Sequence, residues 1–225
     1  MKLSKKDLTN IPVIVLVAAN LLPLWGVYFL KWDAFYIILL YWSENLAIGF
    51  YNILKIATAK VRHPIENIGK LFCIPFFVIH YGGFMAVHGF FVLAFAKKAQ
   101  GPSLGGKSWP CFFVFIQLLI NVIRQMFLAI TPQMKLAILA LFISHGVSFV
   151  HNYLLKGEYA TAKLGKLMNQ PYSRVVVLHI ALLAGGFFAM SIGSPVPLLF
   201  VLVIGKIILD VKMHLREHKK AKPTT

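Results

Sequence analysis

Residues 34–56 read AFYIILLYWSENLAIGFYNILKI, and Glu44 lies near the middle of the run. As a helix this stretch is about 35 Å long at 1.5 Å per residue, enough to cross the ~30 Å hydrocarbon core of a bilayer. A carboxylate at that depth costs roughly 2.5–3.5 kcal/mol on insertion scales. A chain keeps such a group only where something offsets the cost, so Glu44 is the first candidate functional residue.

The same block pattern continues outward. Apolar segments fall at about 11–30, 34–56, 71–95, 111–130, 136–155, 174–192 and 196–213. Turn or charge signals separate them, at Lys31-Trp32-Asp33, His63-Pro64, Gly101-Pro102, Thr131-Pro132, the polar stretch 156–173 and Gly193-Ser194-Pro195. The chain is 59% hydrophobic and 13% charged, with a mean hydropathy of +0.75. Soluble domains carry about 25% charged residues. A transmembrane β-barrel would show alternating segments of ~10 residues, and none is present. The expected class is an all-α, polytopic transmembrane helix bundle, with residues 1–218 as one membrane domain and 219–225 as a disordered basic tail. The run from Ile11 to Leu30 is too long for a signal-peptide core and lacks a small-residue cleavage site, so it reads as a retained first span.

The net charge of +16 does not point to nucleic acid, because no basic stretch is interleaved with exposed aromatics. Lysine and arginine sit in the connections and tails, where they orient the chain and meet anionic lipid head groups. The expected partner is therefore the bilayer itself. If all seven segments cross, with the N-terminus inside, the cytoplasmic side holds 9 Lys and Arg and the outside 13, which reverses the positive-inside rule. If 111–130 lies in the outer interface instead, the inside holds 16 and the outside 6. The segment carries Gln117, Asn121, Arg124 and Gln125 at i, i+4, i+7 and i+8, a polar stripe of the kind an interfacial amphipathic helix shows. Six spans plus one interfacial helix is the expectation, in a cell (inner) membrane with both termini cytoplasmic. Seven spans, with the stripe turned into the bundle, is the alternative.

Polar groups recur inside the predicted spans. Tyr41, Glu44, Asn45, Asn52 and Lys55 share one helical stripe, with Gly49 beside it as a place for another backbone to approach. The third segment carries His80, Tyr81 and His88. The fifth carries His145, Ser148 and Asn152 on one face, and the sixth carries His179 with Gly186 seven residues on. The last presents Lys206, Asp210, His214 and Glu217 at helical spacing. Glu44, His80, His88, His145 and His179 together form a donor set suited to a transition metal, haem, a small ligand or a proton relay. Tyr41, Asn45, Asn52, Tyr81, Asn152, Asp210 and His214 are its candidate polar lining. The same residues also serve a purely structural reading, as interhelical hydrogen-bond partners in an accessory subunit. Trp25, Trp32, Trp42 and Trp109 read as an interfacial aromatic belt. Cys73 and Cys111 show no metal or disulfide spacing.

Several strings taken together carry a resemblance. They are Ala19-Asn20-Leu21-Leu22-Pro23, Leu40-Tyr41-Trp42-Ser43-Glu44-Asn45 with Gly49 and Asn52, and Phe77-Val78-Ile79-His80-Tyr81-Gly82 with His88-Gly89. Ser144-His145-Gly146-Val147-Ser148-Phe149 with Asn152-Tyr153, Val177-Leu178-His179 with Gly185-Gly186, and Asp210 with His214 complete the set. Over nearly its whole length the chain resembles a prokaryotic family of integral membrane proteins of unknown function, marked by a YWxEN motif. That resemblance implies the architecture and the residue shortlist but names no activity. A weaker likeness is to rhomboid-type intramembrane serine proteases, where Gly146-Val147-Ser148 matches the first three positions of a GxSG motif. It implies Ser148 as nucleophile and His179 as base. Phe149 replaces the second glycine, and His179 falls on the next span instead of two spans on.

Overall fold

The computed structural model describes residues 17, 21, 23–60, 64–95, 106–194 and 196–220, without the side chains of 64–66, 95, 187, 189, 190, 210 and 212–220. Among the described residues the secondary structure is helical, with no strand. The principal helices are α1 (Ala34–Thr58), α2 (Pro64–Phe95), α3 (Phe113–Ala129), α4 (Pro132–Ser148), α5 (Leu164–Asn169), α6 (Tyr172–Ile180), α7 (Gly186–Ile192) and α8 (Val196–Lys220). A π-helical turn, Phe149–Leu155, prolongs α4, and another, Ala181–Gly185, joins α6 to α7.

Local chemistry sets the helix ends. Asp33 accepts a hydrogen bond from the Phe35 N–H at 2.9 Å and so caps the start of α1. At the other end of α1, Lys70 reaches across from α2 and donates to the carbonyls of Ala57 and Ala59. The Ala57 carbonyl belongs to the last turn, which has no helical donors of its own, and Ala59 follows it directly. Thr131 accepts from the Met134 N–H, with Pro132 in the first turn of α4, where its missing N–H costs nothing.

Among the described residues three helical stretches are long and apolar enough to cross a membrane: Ala34–Thr58, Asn67–Ala94 and Pro132–Leu155. α3 and the apolar part of α8 (Val196–Leu209) are shorter. The helices depart from the expected boundaries in two places. α2 starts at Pro64 and continues through Pro75, so the polar residues before 71 belong to the helix. α8 runs on to Lys220, so residues 219–220 are helical, whereas 221–225 lie outside the described residues.

The chain divides into two compact units, Ile38–Val176 and Met1–Ile37 with Val177–Thr225. The first is built around α1, α2 and α3. Trp42 is 2% exposed, and its indole N–H donates to the Met85 carbonyl at 2.9 Å. Trp42 is therefore core, not part of an interfacial belt, whereas Trp25, Trp32 and Trp109 are exposed. Gly89 lets the Trp42 ring and Val122 close on α2, since a Cβ there would meet both at 2.6 Å. α3 packs lengthwise on α2, with Phe115 against Gly83, Leu119 against Gly82 and Val122 against Gly89. From Phe115 at Gly83 to Val122 at Gly89 the contacts advance along both helices in the same sense.

That packing corrects the reading of the α3 polar stripe. Gln117 is buried rather than turned to an interface. It accepts from the Trp109 N–H at 2.8 Å and donates to the Lys107 carbonyl at 2.9 Å. Arg124 is exposed, and Asn121 and Gln125 are half-buried, so the stripe does not share one environment.

The second unit centres on Leu178, Leu182, Leu198, Leu199, Leu202 and Val203. Its close backbone approach is at Gly185, where a Cβ would lie 2.5 Å from the Leu198 Cα.

Candidate functional site

Glu44 points from the middle of α1 and pairs with Arg174 in the first turns of α6. Arg174 Nη1 donates to Glu44 Oε1 at 3.0 Å. The two side chains are 25% and 17% exposed respectively, so the pair is shielded but not sealed. Pro171 starts this helix, and its carbonyl accepts the Arg174 N–H at 3.1 Å, which fixes where the guanidinium emerges.

Aromatic and hydroxyl groups surround the pair. Tyr172 shares a hydrogen bond of 2.8 Å with His80 Nδ1. Its ring lies edge-on to Phe77 and Tyr81, at 6.1 and 5.9 Å between centroids. The Tyr81 hydroxyl donates to the Asn45 carbonyl at 2.8 Å and lies within electrostatic reach of Arg174, Tyr172 and Glu44. Gly49 makes room for this ring. A Cβ there would collide with Tyr81, so the glycine serves an aromatic side chain and not the neighbouring backbone. Asn45 is 7% exposed; its amide donates to the Tyr41 carbonyl at 2.9 Å. Its Oδ1 is buried and has no hydrogen-bond partner among the described residues.

The other expected residues fall elsewhere. Asn52 is buried and donates to the Leu167 carbonyl at 3.0 Å, which ties α5 to α1. Asn152 donates to Ser148 Oγ at 3.2 Å and accepts from Lys156 Nζ at 3.1 Å, a local arrangement at the end of α4. His88 is buried on α2, His145 is half-buried on α4, and His179 is exposed on α6 in the other unit. Among the described residues no three His, Cys, Asp or Glu side chains converge to hold a metal ion. The side chains of Asp210 and His214 lie outside the described residues.

Arg174 stands outside the histidine and carboxylate set that the sequence offers around Glu44. The signal was available, because an intrahelical carboxylate needs a cation and Arg174 heads an apolar segment. Its distance of 130 residues along the chain hid the pairing.

The helical architecture and the YWxEN run define a protein class, and comparison supplies the family. A family described as "Family of unknown function (DUF6498)" matches residues 2–225, and the chain belongs to that family. Comparisons with curated proteins and with solved structures give no match. The rhomboid likeness finds no support in them.

Proposed function

We propose that the chain is a multi-pass membrane protein whose Glu44–Arg174 site binds a small polar ligand bearing an anionic group. Membrane insertion rests on α4 and its π-helical extension. The most apolar window of this stretch is only 11% buried, and Leu136, Leu139, Ile143 and Val147 are exposed along it. A helix so apolar and so uncovered needs lipid as its solvent.

α3 follows α2 in the same sense, and two successive parallel helices cannot both be spans unless the linker between them also crosses. We read α3 as re-entrant, leaving and returning to one side, which keeps six spans and the 16-to-6 charge split. Gln117 supports this reading, because it satisfies backbone groups of the non-helical segment before α3. Irregular backbone at membrane depth requires such partners.

The observation that carries the ligand reading is the geometry of the ion pair. Arg174 spends one N–H on Glu44 through a single contact and keeps a quarter of its side chain accessible. Guanidinium has five donors in a planar fork suited to carboxylate or phosphate. Tyr172 and His80, hydrogen-bonded to each other, supply further polar groups beside the pair. A structural clamp between α1 and α6 is the second reading, favoured by the long sequence separation of the pair. Thermal stability of the purified protein with acetate, benzoate and inorganic phosphate separates the two. Ligand binding predicts stabilisation of wild type by at least one anion and none of Arg174→Gln. If no anion stabilises wild type and a Glu44→Leu, Arg174→Leu double variant is as stable as wild type, the ligand reading falls.

A further inference from the structure

A groove lies on α1, α3 and α4, away from the ion pair. It is a cavity of about 670 Å³, within the ~300–1,000 Å³ range of small-molecule sites. Leu39, Trp42, Leu46, Met126, Phe127 and Leu139 are among the residues that line it. A smaller cavity of about 240 Å³ shares Leu46, Ile123 and Phe142 with it and continues along α1 to Ile53. From Leu39 to Ile53 the trough follows α1 for about 21 Å at 1.5 Å per residue, longer than one half of a ~30 Å hydrocarbon core. The walls are apolar throughout the larger cavity except for Ser43 and Lys135. Lys135 is exposed, on the first turn of α4.

We propose that this groove holds one acyl chain of an anionic phospholipid, with the head group paired to Lys135. Three features select that occupant. The trough has the length of a single extended chain. Its lining offers no hydrogen-bond partners along most of that length, which excludes a polar ligand. The cationic group stands at one end, where Leu39, Ile130, Pro132 and Lys135 lie together, so the charge and the chain are separated as in a lipid. This end holds the start of α1 and the start of α4, the ends that the charge distribution places on one side of the membrane. The inference rests on the membrane reading above but not on the Glu44–Arg174 ligand.

The test uses Trp42 as the reporter. Trp25, Trp32 and Trp109, all exposed, are replaced by Phe, and the full chain is reconstituted in nanodiscs. Lipids with brominated acyl chains quench tryptophan on contact. At equal mole fraction, brominated phosphatidylglycerol should quench Trp42 at least twofold more than brominated phosphatidylcholine. Lys135→Gln, at an exposed position, should remove the preference and leave quenching by phosphatidylcholine unchanged. Leu139→Phe, which narrows the trough, should reduce quenching by both lipids. Equal quenching of Trp42 by the two lipids, or a preference that survives Lys135→Gln, overturns the proposal. Quenching of the exposed tryptophans in the parent protein reports membrane contact separately. Its absence would count against insertion itself.

Discussion

Removing Arg174 should strip Glu44 of the guanidinium that pairs with it among apolar helices, and the size of the penalty follows from the exposure of the pair. Breaking a fully buried ion pair from one side costs about 3–5 kcal/mol. Here the side chains are 25% and 17% exposed and touch at one 3.0 Å contact, so screening reduces the effect. A hydrogen bond to a charged group contributes about 1.5–3 kcal/mol, and Arg174→Leu should cost an amount in that range. Glu44→Leu should cost less than Arg174→Leu, because a guanidinium at 25% exposure recovers more hydration than a carboxylate at 17%. The double variant should recover part of the loss, since an apolar pair of similar size needs no desolvation. The assay is equilibrium unfolding in mixed micelles, run as a double-mutant cycle. A coupling energy of about 1.5 kcal/mol or more supports the pair as drawn. Additivity within about 0.5 kcal/mol, the level expected of independent sites, would refute it and remove the site's central contact.

Other substitutions probe the packing that positions the site. Gly49→Val should displace Tyr81 and break its hydrogen bond to the Asn45 carbonyl, at a cost of about 1–3 kcal/mol, read by thermal unfolding. Gly185→Ala should be similarly costly although it adds one methyl, because the Leu198 backbone cannot step aside; a change under about 0.5 kcal/mol would contradict the close approach. Gln117→Leu should strand the Trp109 N–H and the Lys107 carbonyl and cost about 1–3 kcal/mol, with faster proteolysis within 106–112 as the local readout. Asn52→Leu should release α5, seen as faster amide exchange in 164–169 with little change in α2.

Helix positions were legible in the sequence because each rests on a local signal. Apolar runs near 20 residues long, broken by Thr131-Pro132 or Gly193-Ser194-Pro195, need only chain-neighbour chemistry to be read. What was not legible depends on which helix lies beside which. Trp42 looks like a belt residue by type and becomes core only because Gly89 on α2 leaves room for its ring. Gln117 looks amphipathic by spacing, yet it is buried because the chain just before α3 folds back over it and uses both ends of its amide.

The site shows the same division more sharply. Glu44 was identifiable from its depth alone, because the cost of a carboxylate there does not depend on the fold. The identity of its partner did depend on the fold. Histidine was the chemically reasonable choice, since His80, His88, His145 and His179 all lie within apolar segments and arginine heads one. The structure instead brings in the charge that sits at a helix start, where Pro171 begins α6 and the guanidinium can turn inward toward α1. His80 still belongs to the neighbourhood, but through Tyr172, the residue two before Arg174. The segment Pro171-Tyr172-Ser173-Arg174 therefore does two jobs in one turn, a charge for α1 and a hydroxyl for α2. A carboxylate deep in an apolar run is best matched first to arginines at the ends of other runs, because a long side chain can span from the helix end to the buried acid while its backbone stays near water.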